Sequence, residues 1–80
     1  MLQNNLDITV QEILWDVRNV LHIARHAVIP DEVEESINER TLYLPSYSGR
    51  IMAIGETKQK RVLASVLQPD RAKEIYYVVT

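Results

Sequence analysis

The hydrophobic pattern of this chain changes period near residue 40, and that change constrains the fold more than any other feature. Between Asp16 and Val28, Val17, Val20, Leu21, Ala24 and Val28 recur at the spacing of one helix face. Arg18, Asn19, His22, Arg25 and His26 share the other side, and Asp16 is the natural N-cap. Pro30 stops this helix and opens a second, since a proline at the first helical position lacks only an N–H that would go unpaired anyway. Asp31, Glu32, Glu34 and Glu35 follow where a helix start favours negative charge. Val33 and Ile37 give this helix its apolar stripe, and it is expected to end near Arg40. From Thr41 the alternation is that of strands, over residues 41–44, 50–56, 61–67 and 73–80. Turn residues separate them, at Pro45 to Gly49, Thr57 to Lys60 and Gln68 to Asp70. Residues 12–15 fit either a helix started by a Thr9/Glu12 capping box or a short strand ending at Asp16.

Short polar connections make the later strands consecutive antiparallel neighbours. The expected architecture is α+β, with two N-terminal helices packed on one face of an antiparallel β-meander of about four strands. A turn centred between Lys58 and Gln59 sets Glu56 opposite Arg61, Ile54 opposite Leu63 and Met52 opposite Ser65. The next hairpin then sets Leu67 opposite Lys73 and Leu63 opposite Tyr77. In that register Ile51, Ala53, Val62, Ala64, Val66, Tyr76 and Val78 face the helices. The opposite face carries Arg50, Met52, Ile54, Glu56, Arg61, Leu63, Leu67, Lys73, Ile75, Tyr77 and Val79. Two small helices cannot cover both faces, and an apolar face rimmed by charge marks an interaction site.

Composition bounds the function classes. Eighty residues make one domain, 1–80, with no cysteine for a disulfide or a cysteine-based zinc site. No apolar run is long enough to cross a membrane, and residues 1–10 lack the basic and apolar regions of a signal peptide. These features imply a cytoplasmic domain with no membrane partner. A core of this size supplies roughly 3–5 kcal/mol, so a partner chain or a homo-oligomer is expected. The net charge of −2 hides a split. Residues 1–40 hold three basic against eight acidic residues, and residues 41–80 hold six against three. A basic half can meet phosphate although the whole chain is acidic, because local potential sets the attraction.

Arg50, Arg61 and Lys73 on one sheet face could hold a phosphodiester, and Tyr77 or Tyr76 could stack on a base or donate a proton. Metal-independent RNA cleavage needs only a positioned 2′-hydroxyl, a proton acceptor and cations on the phosphate. The competing reading is a Glu56–Arg61 cross-strand ion pair with the strand aromatics in the core. His22 is a candidate for proton transfer. His22 and His26, four apart, have metal-binding spacing but no evident third ligand, so neither a metal nor any other cofactor is expected. Trp15 is expected to anchor the core or a sheet edge. With Gly49 and Gly55 the only glycines, there is no phosphate-cradling loop and no nucleophile elbow.

Several short runs, in order, resemble a known family. Trp15-Asp16, Asn19, His22-Ile23, His26, Val28 and Pro30 to Glu35 look like the N-terminal half of BrnT-type toxins of the RelE-like superfamily. Gly49 to Thr57 and Lys60 to Leu63 resemble the central hairpin of that family, and Tyr76 to Thr80 its last strand. The resemblance spans about residues 12–80 and favours the strand reading of residues 12–15. It implies a RelE-like fold and the toxin role in a bacterial type II toxin–antitoxin system. A family toxin would be a ribonuclease that inhibits translation and is neutralised by a cognate DNA-binding antitoxin. By position, Arg50 and Arg61 match basic positions of the hairpin, and His22 and His26 match the helix motif.

Three positions depart from the family pattern. Glu56 stands where a basic residue is common, and Ala27 where a glycine usually follows the helix histidine. The chain ends at Thr80, where members commonly continue into an Ala-Arg segment and a basic tail. Two functions are therefore carried forward. One is a toxin-like ribonuclease with Arg50, Arg61, His22 and Tyr77 at its site. The other is a catalytically inactive, truncated or degenerate module of the same fold that binds a protein partner or a second copy through its apolar sheet face.

Overall fold

A computed structural model describes residues 6–80, so the first half of the segment read above for a leader lies outside the described residues. The elements are β1 (Glu12–Leu14), α1 (Val17–Ala24), α2 (Pro30–Ser36), β2 (Leu42–Pro45), a 3₁₀ turn (Tyr47–Gly49), β3 (Ile51–Glu56), β4 (Val62–Pro69) and β5 (Ile75–Val78). The class is α+β, and the five strands form one sheet in the order β1-β5-β4-β3-β2. Strands β2 to β5 make the expected antiparallel meander. Strand β1 pairs parallel to β5, with Ile13 opposite Tyr76, so the sheet is mixed rather than wholly antiparallel. Residues 12–14 are a strand, as the family resemblance favoured. Among the described residues no helix is long and apolar enough to cross a membrane.

Asp16 caps α1 as its sequence position predicts. Its carboxylate accepts the Asn19 N–H at 3.0 Å, while Asn19 Oδ1 accepts the Asp16 N–H at 2.8 Å. The Asn19 Nδ2 also donates to the Leu14 carbonyl at 2.9 Å. These bonds tie Asn19 to β1 and fix the rotation of the helix. Asn19 and Ile23 are the buried residues of α1, and Val17 and Leu21 are 73% and 62% exposed. The expected inward stripe of Val17, Val20, Leu21 and Ala24 is thus corrected: Val17, Leu21 and Ala24 are exposed and Val20 is half-buried, because the helix turns Asn19 and Ile23 inward. Val28, expected inside, is buried.

Helix α1 ends at Ala24, four residues before the expected end. The Ala27 N–H bonds to the Ala24 carbonyl and the Val28 N–H to the Ile23 carbonyl, with Ala27 left-handed at φ 58°. This is a Schellman closure, a position that glycine normally occupies. Helix α2 starts at Pro30, as expected, but stops at Ser36 rather than near Arg40. Ser36 Oγ bonds back to the Val33 carbonyl, and Thr41 Oγ1 donates to the Ser36 carbonyl at 2.6 Å. That carbonyl lies directly against Gly55 of β3, where any Cβ would overlap it.

The β3–β4 register differs from the expected one by one residue. Glu56 lies opposite Val62, Ile54 opposite Ala64 and Met52 opposite Val66. The cause is an odd loop. Thr57 N–H bonds to the Arg61 carbonyl and Lys60 N–H to the Thr57 carbonyl, and Lys60 turns left-handed at φ 69°. A one-residue slip turns over every side chain of the strand. Leu63, Ser65 and Leu67 therefore face the core beside Ile51, Ala53, Tyr76 and Val78, while Val62 and Ala64 face out. The assignment of β3 and β5 to their faces stands, and that of β4 is reversed. Burying two leucines in place of Val62 and Ala64 removes more apolar area from water. In the next hairpin Leu67 lies opposite Val78, not Lys73, because residues 70–74 form a longer turn with Glu74 left-handed at φ 68°.

The core joins Ile23 and Val28 to Val33 of α2 and to Tyr43, Ile51, Leu63, Leu67, Tyr76 and Val78 of the sheet. Leu6, Ile8 and Val10 cover part of it as the chain crosses from β2, where Leu6 N–H meets the Tyr43 carbonyl, to β5, where Gln11 N–H meets the Glu74 carbonyl. Trp15 packs against this core as expected and donates its indole N–H to Glu34 Oε2 at 2.8 Å. The outer sheet face has no layer of this kind among the described residues. It presents Leu42, Leu44, Met52, Ile54, Val62, Ala64, Ile75, Tyr77 and Val79, with Leu42 48% and Val62 65% exposed.

Candidate functional site

The slip in β4 carries Arg61 to the helix side of the sheet, away from Arg50 and Tyr77. There Arg61 Nη1 donates to the Ala27 carbonyl at 2.7 Å and Nη2 to the His26 carbonyl at 3.0 Å. Nη1 also meets the Glu32 carboxylate at 3.2 Å. Two of these partners are carbonyls of the turn that follows α1, and the third is on the first turn of α2. Glu32 in turn accepts the Ile29 N–H at 3.2 Å. The guanidinium fork therefore closes the α1–α2 turn, where the geometry of arginine suits several acceptors at once. The expected Glu56–Arg61 pair does not form, and Glu56 instead approaches Lys60 at 3.9 Å.

Arg50 lies on the outer face, one register step from the Ile51–Leu67 pair and so opposite Gln68. Its Nε and Nη2 both donate to Gln68 Oε1, at 3.1 and 2.9 Å. Its guanidinium carbon sits 4.8 Å from the centre of the Tyr47 ring. The 3₁₀ turn that brings Tyr47 there is possible because Ser48 and Gly49 both take positive φ. Gln68 pairs with Tyr77 on β5. Arg50, Gln68 and Tyr77 thus form one row across three strands on the outer face.

The row ends at the cap of α1. The Tyr77 hydroxyl donates to Asp16 Oδ1 at 2.9 Å. The Asn19 backbone N–H lowers the Asp16 pKa first, with the Tyr77 hydroxyl adding to it. Desolvation raises the Tyr77 pKa, and the neighbouring Asp16 carboxylate raises it further. A phenol in this setting holds its proton and offers an aromatic face. To protonate a leaving group it must first leave Asp16.

His22 lies apart from this row. Its Nε2 is 3.2 Å from Thr80 Oγ1, just beyond β5. The His22 and His26 rings are 6.1 Å apart between centroids. Among the described residues no group of three potential ligands could hold a metal. Lys73 lies in the exposed turn before β5 and does not join Arg50. Of the four residues singled out for chemistry, the structure brings Arg50 and Tyr77 together, and it sets His22 and Arg61 on the α1 side. Sequence reasoning missed Gln68, Tyr47 and Asp16 as members of the row. Gln68 was visible only with the true β4 register, and Tyr47 only once its turn was known to fold back under Arg50.

Comparison with protein-family models, with curated proteins and with solved structures finds no match to this chain.

Proposed function

We propose that the chain is the toxin-like component of a bacterial type II toxin–antitoxin system, cytoplasmic and held by a cognate antitoxin protein, with a metal-independent ribonuclease activity that inhibits translation. The family reading rests on the BrnT-like runs between residues 12 and 80 and agrees with the α+β class of the fold. One observation carries the choice of site: the Arg50–Gln68–Tyr77 row on the open outer face. A cation pre-positioned by Tyr47 and Gln68 suits a scissile phosphate, and Tyr77 suits a stacked base. Arg61 holds the α1–α2 turn and His22 bonds to Thr80, so both lie apart from the row, and His22 remains the candidate for proton transfer.

Induced expression is expected to arrest growth, and the purified protein to cleave RNA without added metal. Arg50→Ala should lower cleavage by about 100-fold, the usual effect of removing one charge-stabilising donor. Absence of both growth arrest and cleavage would eliminate the ribonuclease.

A second reading is favoured by a separate observation, the engagement of Arg61 in the fold together with the exposure of Val62 and Leu42. In that reading the domain binds a protein partner or a second copy through the outer face and cuts nothing. Val62→Asp would then abolish the complex in light scattering while leaving the fold intact. Leu63→Asp is no test of this face, because Leu63 is in the core.

A further inference from the structure

A glutamine amide on an exposed strand surface ordinarily turns freely and offers either its oxygen or its nitrogen. That of Gln68 is pinned. Its Oε1 accepts from Arg50 Nε at 3.1 Å and from Arg50 Nη2 at 2.9 Å. A guanidinium carries donors only, so the amide oxygen has to be the atom that faces it. Both lone pairs of Oε1 are then occupied, and Nε2 is turned away from Arg50. The Tyr47 ring, 4.8 Å from the guanidinium carbon, also holds the arginine in place. Gln68 is exposed, and among the described residues its Nε2 bonds to no other group. The side chain therefore presents two N–H groups and no acceptor. The mode in which glutamine reads adenine, with oxygen and nitrogen together, is closed to it.

Gln68 is also the middle residue of its row, with Arg50 beside it on β3 and Tyr77 opposite it on β5. Neighbouring strands lie about 4.8 Å apart, so the backbones at Arg50 and Tyr77 are roughly 10 Å apart with Gln68 halfway. A ribonucleotide has its parts in the same order: phosphate, ribose, base. With its 3′-phosphate on Arg50 and its base on the Tyr77 ring, its ribose lies over β4. The 2′-oxygen there is an acceptor that DNA lacks. The Tyr77 hydroxyl already donates to Asp16 Oδ1 at 2.9 Å, which leaves Gln68 Nε2 as the donor at the centre of the row.

We propose that Gln68 is a specificity-determining residue, whose pinned amide donates to the ribose 2′-oxygen and so selects RNA over DNA. This rests on the reading of the Arg50–Gln68–Tyr77 row as the RNA site. Arg50 then has two uses. The N–H groups that Gln68 leaves free meet the phosphate, and the other two orient the amide. A donor-only amide makes a definite demand of the sugar. It takes an ether oxygen at the 2′ position as it takes a hydroxyl, because it needs no hydrogen from either. It discriminates against hydrogen, and against carbon-bound fluorine, which is a poor acceptor.

The test is the binding of three uridine hexanucleotides to the full chain, read by fluorescence anisotropy and by NMR shifts. Their sugars are 2′-O-methyl, 2′-fluoro and 2′-deoxy. None has a free 2′-hydroxyl, so none can be cut by its attack, and the first two share one sugar pucker. The outer face is open, which gives the methyl group room on the solvent side. The 2′-O-methyl strand should bind roughly fivefold tighter than the other two, the worth of one net hydrogen bond. It alone should shift the Gln68 Nε2 protons. Gln68→Glu, checked for an unchanged far-ultraviolet spectrum, keeps an acceptor for Arg50 but has no donor, and should bind the three strands equally. Equal binding of the three by the unaltered protein, or a preference that survives in Gln68→Glu, would overturn the role of Gln68 and leave the row as the RNA site. No binding at millimolar strand, or binding that leaves Arg50 and Tyr77 unshifted, would overturn both.

Discussion

The Arg61 guanidinium donates to the carbonyl of Ala27 at 2.7 Å, and Ala27 is the one residue of the α1–α2 turn that stands left-handed, at φ 58°. The arginine braces a turn that its own sequence disfavours. An L-residue with a Cβ in this region costs about 1–2 kcal/mol. A charge-assisted bond to that residue offsets the cost and pairs the Ala27 carbonyl of the turn.

Removing the brace should therefore be felt in stability. Arg61→Ala is expected to lower the unfolding free energy by about 2 kcal/mol, through lost bonds to two carbonyls and the stranded Glu32 carboxylate. Arg50→Ala, on the outer face, should cost only about 0.5 kcal/mol. Urea unfolding of the two variants separates a structural arginine from a surface one.

Relieving the strain at its source should have the opposite sign. Ala27→Gly is expected to stabilise the fold by up to about 1 kcal/mol, since glycine takes positive φ without a steric cost but loses more chain entropy on folding. In the Arg61→Ala background the same substitution should help at least as much. A double-mutant cycle on Ala27 and Arg61 measures this coupling.

Gly55 admits no side chain. A Cβ there would overlap the Ser36 carbonyl oxygen, which Thr41 holds in place. Gly55→Ala is expected to cost about 3 kcal/mol, the upper range for overpacking, and to shift α2 off β3. Thermal unfolding and the near-ultraviolet signal of Trp15, which is bonded to Glu34 of α2, would report it.

Asp16 and Tyr77 both contribute to the pH response, Asp16 chiefly through the Asn19 N–H and Tyr77 chiefly through desolvation, with their mutual bond adding to each. Asp16 has a lowered pKa in the fold, so its contribution is present above its ordinary value of 3.8 and is lost as pH falls through the lower folded value. Tyr77 has a raised pKa, so its contribution is full below its ordinary value of 10.0 and is lost as pH rises through the higher folded value. Tyr77→Phe should weaken the alkaline limb, of which buried Tyr43 with its own raised pKa retains a share, and weaken, without abolishing, the acid limb. The Asn19 N–H still holds the Asp16 carboxylate in that variant. Unfolding curves between pH 2 and 12 test both limbs.

Much of the fold was legible where one residue type has one strong local meaning. Asp16 capped its helix, Pro30 opened the next, and the alternation after Thr41 produced four strands close to their expected limits. The errors share a cause. Rotation of α1 and register of β4 depend on groups that have two uses. Asn19 reads as a surface polar residue until the Leu14 carbonyl is seen beside it. Lys60 reads as a plain turn residue, although it takes a conformation favoured by glycine. Half of the candidate site inherited these errors. Arg50 and Tyr77 remain on the outer face because β3 and β5 were assigned correctly, and Arg61 left it because β4 was not.

The three residues between Thr57 and Arg61 set more than a turn. With an odd count, the strand that follows shows its leucines to the interior and its first cation to the helix carbonyls. Adding or deleting one residue there, with every other residue retained, would present Arg61 and Leu63 on the outer surface and withdraw Val62 and Ala64. A change of parity in a loop would thus convert a structural cation into a surface-binding one. Relatives of this chain that differ only in the length of this loop are expected to differ in what they bind.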